Sequence, residues 1–202
     1  MRTPIPPSMP VRQKGYTLVE LAIAVAILSV LIVAGLTGVQ GILTSGKVND
    51  QIKTVAKLTS KISNFYANGT SGVTQTEVAR NGGWATNQFS VTSNVATITS
   101  AFGTTETLVN STSAIGDLAA NFGFLYTIKG VPKSACADLA NGLSGLVYAI
   151  YISANATTTE TATWTTNSKL VKAPGGTSLV TANLASSCDL ANTLDFQIAI
   201  KP

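Results

Sequence analysis

The 202-residue chain contains no histidine, only two cysteines and few charged side chains, which make up 11% of the sequence. Without histidine there can be no Ser-His or Cys-His nucleophilic pair, and the commonest metal-binding side chain is missing. The sequence also has no Walker loop and no G-x-G-x-x-G motif, and its nine acidic residues do not follow EF-hand spacing. These absences predict a protein that is not an enzyme and that needs no cofactor or metal.

The chain carries a formal net charge of +4, but its basic residues do not form a nucleic-acid site. Three of the thirteen Lys and Arg residues precede residue 15, and four are spread over a predicted helix at Lys47, Lys53, Lys57 and Lys61. After residue 70, no basic run with interleaved aromatic residues occurs. We interpret the helical lysines as a solvated face and predict no specific nucleic-acid partner.

The chain does have one long apolar stretch, residues 16–43, and it contains a single charged residue, Glu20. About 20 apolar residues are enough for a helix to cross a membrane. A carboxylate near the middle of such a helix costs on the order of 2.5–3.5 kcal/mol on insertion scales. Glu20 has no partner within the span, so we expect its partner to lie outside it. The preceding proline-rich segment carries Arg2, Arg12 and Lys14 and no acid, which predicts a cytoplasmic N-terminus.

Three interpretations of residues 1–43 compete. A secretory signal cleaved near residues 22–26 conflicts with the apolar run, which continues well past those alanines and is interrupted by Glu20. A plain single-span anchor leaves Glu20 without a partner. The third interpretation is a leader that is cut before the apolar run, which keeps the anchor on the mature protein.

The residues at the end of the leader, Gly15-Tyr16-Thr17-Leu18-Val19-Glu20, resemble the class III signal of type IV pilins. The resemblance implies that a prepilin peptidase cuts between Gly15 and Tyr16 and methylates the new amine of Tyr16. It also implies that Glu20 and Thr17 serve filament assembly, with Glu20 paired to the N-terminal amine of a neighbouring subunit. Tyr16 departs from the pattern, because many members of the family carry Phe or Met there.

Residues 16–67 are predicted to form one long helix that ends at Asn68-Gly69, a typical C-terminal capping pair. Its first part, 16–43, is the predicted transmembrane segment and filament core. Its second part, 44–67, is amphipathic, with apolar residues at spacing three to four: Val48, Ile52, Val55, Leu58 or Thr59, Ile62 and Phe65.

Gly35, Gly38 and Gly41 interrupt the first part of this helix at spacing three. Each glycine weakens a helix by up to about 1 kcal/mol relative to alanine. One interpretation is close helix packing through small residues. The other is a segment that melts during assembly, as happens in some type IV pilins.

Residues 68–202 are predicted to form one globular head of the α+β class. Apolar and β-branched runs predict strands at 89–91, 95–98, 122–128, 146–152, 164–171 and 194–200. Short helices are predicted at a capping box that begins at Thr74, at 132–141 and within 178–191. The expected architecture is a pilin fold, in which the long N-terminal helix packs on an antiparallel sheet and a disulfide bounds the C-terminal region.

Cys136 and Cys188 are the two cysteines, and an even pair in an exported domain predicts a disulfide. The alternative is two free buried thiols. The pair also resembles the C-terminal disulfide of the pilins, and the residues around it, Gly130–Cys136 and 188–192, are most like the type IVb subclass. The short leader is more common in type IVa.

The resemblance implies a structural subunit of a type IV pilus, a homo-oligomeric filament that serves adhesion, aggregation, motility or conjugation. Its expected partners are the prepilin peptidase, an inner-membrane assembly platform and a secretin. The protein is expected in the inner membrane as a single span before assembly, and in a cell-surface pilus afterwards. Within the family, the alternatives are a minor pilin or a type II secretion pseudopilin. From another class, the alternative is a membrane-tethered extracytoplasmic binding module or enzyme.

Overall fold

The computed structural model describes residues 16–67, 73–154, 164 and 169–202. The helices are α1 Leu18–Ala67, α2 Gln75–Arg80, α3 Lys133–Leu143 and α4 Thr181–Cys188. The strands are β1 Phe89–Thr92, β2 Val95–Thr99, β3 Thr105–Asn110, β4 Phe124–Pro132, β5 Ala149–Ala154, β6 Leu170–Lys172 and β7 Thr193–Ile200. The chain divides into two compact units, residues 1–41 and 42–202.

In the first unit, the described residues form the apolar part of α1. The sequence from Tyr16 to Ala34 contains neither proline nor glycine, so nothing in it interrupts helical hydrogen bonding. Among the described residues, α1 is the one helix long and apolar enough to cross a membrane, with a mean hydropathy of 2.7 over its most apolar window. The predicted long N-terminal helix is confirmed, while its predicted end at Asn68-Gly69 lies outside the described residues.

The second unit is built on a seven-stranded antiparallel sheet with the strand order β1-β2-β3-β4-β7-β5-β6. The amphipathic part of α1 contributes to the same core as the inward side chains of the sheet. The buried α1 residues are Val48, Val55, Leu58 and Ile62, and Ile52 and Phe65 are partly buried against them. The predicted amphipathic face and the α+β architecture are therefore confirmed.

One strand of this sheet, β3, is absent from the sequence prediction. Its inward positions are Glu106 and Leu108, between exposed threonines and Val109. Because a charged residue occupies the first inward position, the apolar alternation that predicts a strand is broken there. The pairing of β3 with β4, with Thr107 opposite Thr127, supplies the hydrogen bonds that define the strand.

Other strand boundaries differ from the prediction. The strand predicted at 122–128 is β4, which runs to Pro132 and has a register irregularity between Ile128 and Val131. The strand predicted at 146–152 begins later, at Ala149. Of the strand predicted at 164–171, residues 165–168 lie outside the described residues, and Trp164 and Lys169 are not in a strand. The observed strand is β6, Leu170–Lys172.

The predicted short helices are confirmed. At α2, Glu77 Oε2 accepts hydrogen bonds from the Thr74 amide at 2.7 Å and the Thr74 hydroxyl at 2.9 Å, and the Glu77 amide donates back to Thr74 Oγ1 at 3.3 Å. The backbone and side-chain hydrogen bonds from Thr74 lower the pKa of Glu77. Helix α3 begins directly after Pro132, whose fixed φ suits a helix start.

A disulfide joins Cys136 on α3 to Cys188 on α4, across a sequence separation of 52 residues. The predicted disulfide is therefore confirmed, and the alternative of two free thiols is wrong. Beside it, Lys133 Nζ lies 2.7 Å from Asp189 Oδ1, a surface ion pair of the kind that contributes little to stability. The covalent bond therefore joins the first turn of α3 to the last residue of α4.

We predict that Cys136→Ser lowers the free energy of unfolding by about 4 kcal/mol, because opening a loop of this length restores chain entropy to the unfolded state. The measurement is chemical denaturation of the full chain in detergent under oxidising conditions. The matched control is Cys188→Ser, which opens the same loop and should cost about the same. Equal stability of the wild type before and after reduction would contradict the prediction.

Candidate processing and assembly site

The candidate site lies at the start of α1. The leader, with Gly15, lies outside the described residues, and Tyr16 is the first residue of the described chain. The Tyr16 side chain is 89% exposed and the neighbouring Leu18 side chain is 86% exposed. The peptide bond predicted to be cut therefore joins the leader to a residue that the described chain leaves uncovered.

Thr17 and Glu20 form a capping box at the N-terminus of α1. Glu20 Oε2 accepts hydrogen bonds from the Thr17 amide and from the Thr17 hydroxyl, both at 3.1 Å. In return, the Glu20 amide donates to Thr17 Oγ1 at 3.3 Å. Thr17 is thus the N-cap residue and Glu20 is the third helical residue. Each side chain accepts a hydrogen bond from a backbone amide that has no acceptor within the helix.

This geometry corrects the expectation that Glu20 has no partner within the span. The Thr-x-x-Glu spacing of a capping box was readable from the sequence, as it was at Thr74 and Glu77. Thr17 is nevertheless a neutral partner, and it leaves the charge of the carboxylate uncompensated except by the positive end of the helix dipole. Among the described residues, Glu20 Oε1 receives no hydrogen bond, so this oxygen is open to a donor from another molecule.

The aliphatic side chains that follow Glu20 are exposed around the whole helix. Each large hydrophobic residue from Leu21 to Leu43 for which exposure is described keeps about half of its surface or more. Burial of apolar surface is worth roughly 25 cal/mol per Å², so this surface is strongly favoured to enter lipid or to pack against like helices. A helix that is apolar on all sides is expected in those two environments and not in water.

Gly35, Gly38 and Gly41 are helical, and apart from chain neighbours and the adjoining helix backbone, no atom of the described residues lies within 4 Å of the point where a Cβ would stand on any of them. The close packing that one interpretation assigns to these glycines is therefore not made by the residues that the structure describes. It would require a second copy. Both interpretations, close packing and a segment that melts during assembly, stay predictions.

The described residues contain no group of three or more His, Cys, Asp or Glu side chains that could hold a metal ion. Among the described carboxylates, Glu106 has a strongly raised pKa, and it is buried in the second unit and not at the start of α1.

The chain resembles known proteins both in its N-terminal sequence and in its fold. Residues 11–36 match the prokaryotic N-terminal methylation motif. The fold is similar to that of TcpA, a type IV pilin from Vibrio cholerae El Tor biotype, with a TM-score of 0.53 and 14% identity over 76% of this chain and 98% of that chain. It is also similar to the type IVb pilin from Salmonella typhi, with a TM-score of 0.53 and 16% identity over 75% of this chain and 98% of that chain. No curated protein sequence matches the chain significantly.

The resemblance to type IV pilins that the first residues predict is thus confirmed, by the methylation motif and by the fold. At these identities the two crystal structures establish the fold alone.

Proposed function

We propose that this chain, which joins a prepilin methylation motif to a type IV pilin fold, is a structural subunit of a type IV pilus. The observation that carries the proposal is the continuity of one helix. Helix α1 begins inside the matched motif, presents an uncovered apolar surface and ends in the core of the sheet-containing unit. An anchor of a monomeric enzyme or binding module requires neither the motif nor this fold.

Residues 1–15 are the proposed leader, which a prepilin peptidase removes by cutting between Gly15 and Tyr16. The same enzyme class then methylates the Tyr16 amine. The proposed division of the mature chain is a transmembrane segment and filament core at 16–43, an amphipathic half-helix at 44–67 and a head at 68–202. The boundary between the two compact units, at residues 41 and 42, lies close to the proposed boundary between residues 43 and 44.

Glu20 is the proposed assembly residue, and the structure suggests how it acts. After processing, the Tyr16 amine is a cation one residue before the Thr17 amide that Glu20 caps. The capping bonds hold the carboxylate at the helix end with Oε1 free, and the amine of a neighbouring subunit can approach that oxygen. Two charges that are each costly in an apolar environment become tolerable as a hydrogen-bonded pair. A pair at one position also selects the register of neighbouring helices.

The proposed route runs from the inner membrane to the cell surface. Before assembly the apolar part of α1 spans the membrane with the leader in the cytoplasm. An inner-membrane platform then adds subunits to the growing filament, which passes through a secretin. The similarity to the Salmonella typhi pilin and the paired cysteines support a type IVb-like subunit. A type II secretion pseudopilin is a weaker candidate, because that group usually lacks the paired C-terminal cysteines.

The experiment that tests the proposal is deletion of this chain from its native host, with inspection of the cell surface by electron microscopy. Filaments should disappear, return on complementation, and contain this chain as their main component after shearing. Filaments that persist in the deletion strain with unchanged composition would contradict a structural role. Loss of filaments with only trace amounts of the chain in the sheared fraction would instead identify a minor pilin.

A further inference from the structure

A buried polar cluster lies in the core of the second unit, between α1 and the sheet. Its centre is Glu106 of β3, which is 1% exposed. Its other members are Gln51 of α1, Tyr126 of β4 and Trp84, which follows α2. None of these residues has a part in processing or in the candidate assembly site.

Neutral hydrogen-bond donors surround the Glu106 carboxylate. Gln51 Nε2 donates to Glu106 Oε1 at 2.5 Å, and the Tyr126 hydroxyl donates to Glu106 Oε2. Trp84 Nε1 in turn donates to the Tyr126 oxygen at 3.2 Å. The Gln51 amide is oriented by its own oxygen, which accepts from the Ala101 amide at 3.1 Å, so its NH₂ group must face the carboxylate.

No cation compensates this carboxylate within the described part of the chain. On α1, the nearby Lys53 and Asp50 are largely exposed and pair with each other at 3.7 Å. On α2, Glu77 and Arg80 are exposed, and on β2 the register partner of Glu106 is the apolar Ile98. Tyr126 is thus the one titratable group in the cluster besides Glu106 itself.

Burial and hydrogen bonding act on Glu106 in opposite directions. Burial raises the pKa of Glu106 to about 7, although hydrogen bonds from Tyr126, Gln51 and Trp84 lower it. Burial and the adjacent carboxylate also raise the pKa of Tyr126 well above 10.0, so the phenol stays neutral. Glu106 therefore changes charge near neutrality, whereas an unfolded glutamate does so near 4.5.

We propose that the protonation state of Glu106 controls the stability of the packing between α1 and the sheet. The packing is stable when the carboxyl group is protonated and is weakened when the group is ionised. The ionised carboxylate can regain hydration only if the elements that bury it separate. Helix α1 is one of these elements, because Gln51 donates a hydrogen bond to the carboxylate. The sign follows from proton linkage. Between pH 4.5 and 7 the folded state holds a proton that the unfolded state has lost, so stability falls as pH rises through this window.

Few other side chains titrate in this pH window. The chain has no histidine, and the described cysteines are joined in a disulfide, so neither residue type titrates between pH 5.5 and 7.5. Ordinary surface carboxylates complete their titration below this range. The α-amino group begins to lose its proton near pH 7.5, so comparison with a variant at position 106 is needed to assign a change of stability to Glu106.

The test is urea unfolding of the full chain in detergent, followed by tryptophan fluorescence at pH 5.5 and at pH 7.5. For the wild type, the unfolding equilibrium constant should be roughly tenfold larger or more at pH 7.5. Glu106→Gln should remove this pH dependence, because the amide cannot ionise. The control Glu77→Gln, at an exposed acid of the same unit, should retain it. A wild type with equal stability at both pH values would overturn the proposal, as would a Glu106→Gln variant that keeps the full dependence.

A second variant keeps the test decisive if Glu106→Gln does not fold. Tyr126→Phe removes a donor that favours the ionised carboxylate, so it should shift the fall in stability to higher pH. Stability should then continue to decline above pH 8, where the decline of the wild type is largely complete. A Tyr126→Phe profile that is lower overall but has the wild-type midpoint would overturn the proposal, because it would show loss of packing without a change in proton binding.

Discussion

Replacing Glu20 with alanine is expected to abolish surface filaments while the protein remains processed and resident in the membrane. The reason is that Glu20 is costly in lipid, by on the order of 3 kcal/mol near the centre of a span, so its removal cannot impair insertion. In a filament core, however, the same change leaves the incoming Tyr16 amine without a counter-ion. The measurement is fractionation of cells that express the variant, with electron microscopy of the surface.

The capping box allows two matched controls that separate charge pairing from helix capping. Glu20→Gln retains an acceptor for the Thr17 amide, because glutamine also serves in a capping box, but it has no charge. Thr17→Val removes the hydroxyl contacts and keeps the charge. If Glu20 acts by pairing with an amine, Glu20→Gln should be as defective as Glu20→Ala, and Thr17→Val should be milder. Normal filaments with Glu20→Gln would show that capping, and not charge, is the contribution of this side chain.

Replacing Gly15 with valine is expected to leave the leader attached and to prevent assembly completely. Glycine allows another backbone to approach closely because it has no Cβ, and a peptidase must make such an approach at the bond it cuts. A β-branched valine next to that bond should exclude the catalytic groups of the peptidase. An uncleaved chain also has no free Tyr16 amine, so it cannot form the proposed pair with Glu20.

The expected result for Gly15→Val is a membrane protein that is heavier by residues 1–15 and unmethylated, in cells without filaments. Gln13→Val is the control, because it makes a similar change two residues further from the bond. Efficient cleavage of Gly15→Val would contradict the assignment of the processing site. A mature protein cut near residue 26 would instead favour an ordinary secretory signal.

The elements that the sequence predicted well are those in which local pattern and tertiary role agree. Helix α1 follows from its apolar composition and from the spacing of Val55, Leu58 and Ile62, all of which are buried. The disulfide follows from the parity of the cysteines and the exported context. The capping box at Thr74 satisfies local backbone groups, so its four residues are enough to predict it.

The features that the sequence did not predict depend on partners far along the chain. Gln51 falls between apolar positions of α1 and gives no local sign that it contacts Glu106, 55 residues away. Strand β3 was not predicted because it contains Glu106, and glutamate is depleted in strands. The Thr17–Glu20 capping box was predictable, but the interpretation of Glu20 as a lone charge obscured it.

The proposal that this chain is a processed pilus subunit is tested most directly by the intact mass of the chain in filaments sheared from its native host. We predict the mass of residues 16–202 with one added methyl group on Tyr16 and with the two cysteines oxidised to a disulfide. A chain that retains its leader, or one that begins near residue 26, would contradict processing between Gly15 and Tyr16. Complete absence of the chain from sheared filaments would contradict the proposal that it is a pilus subunit.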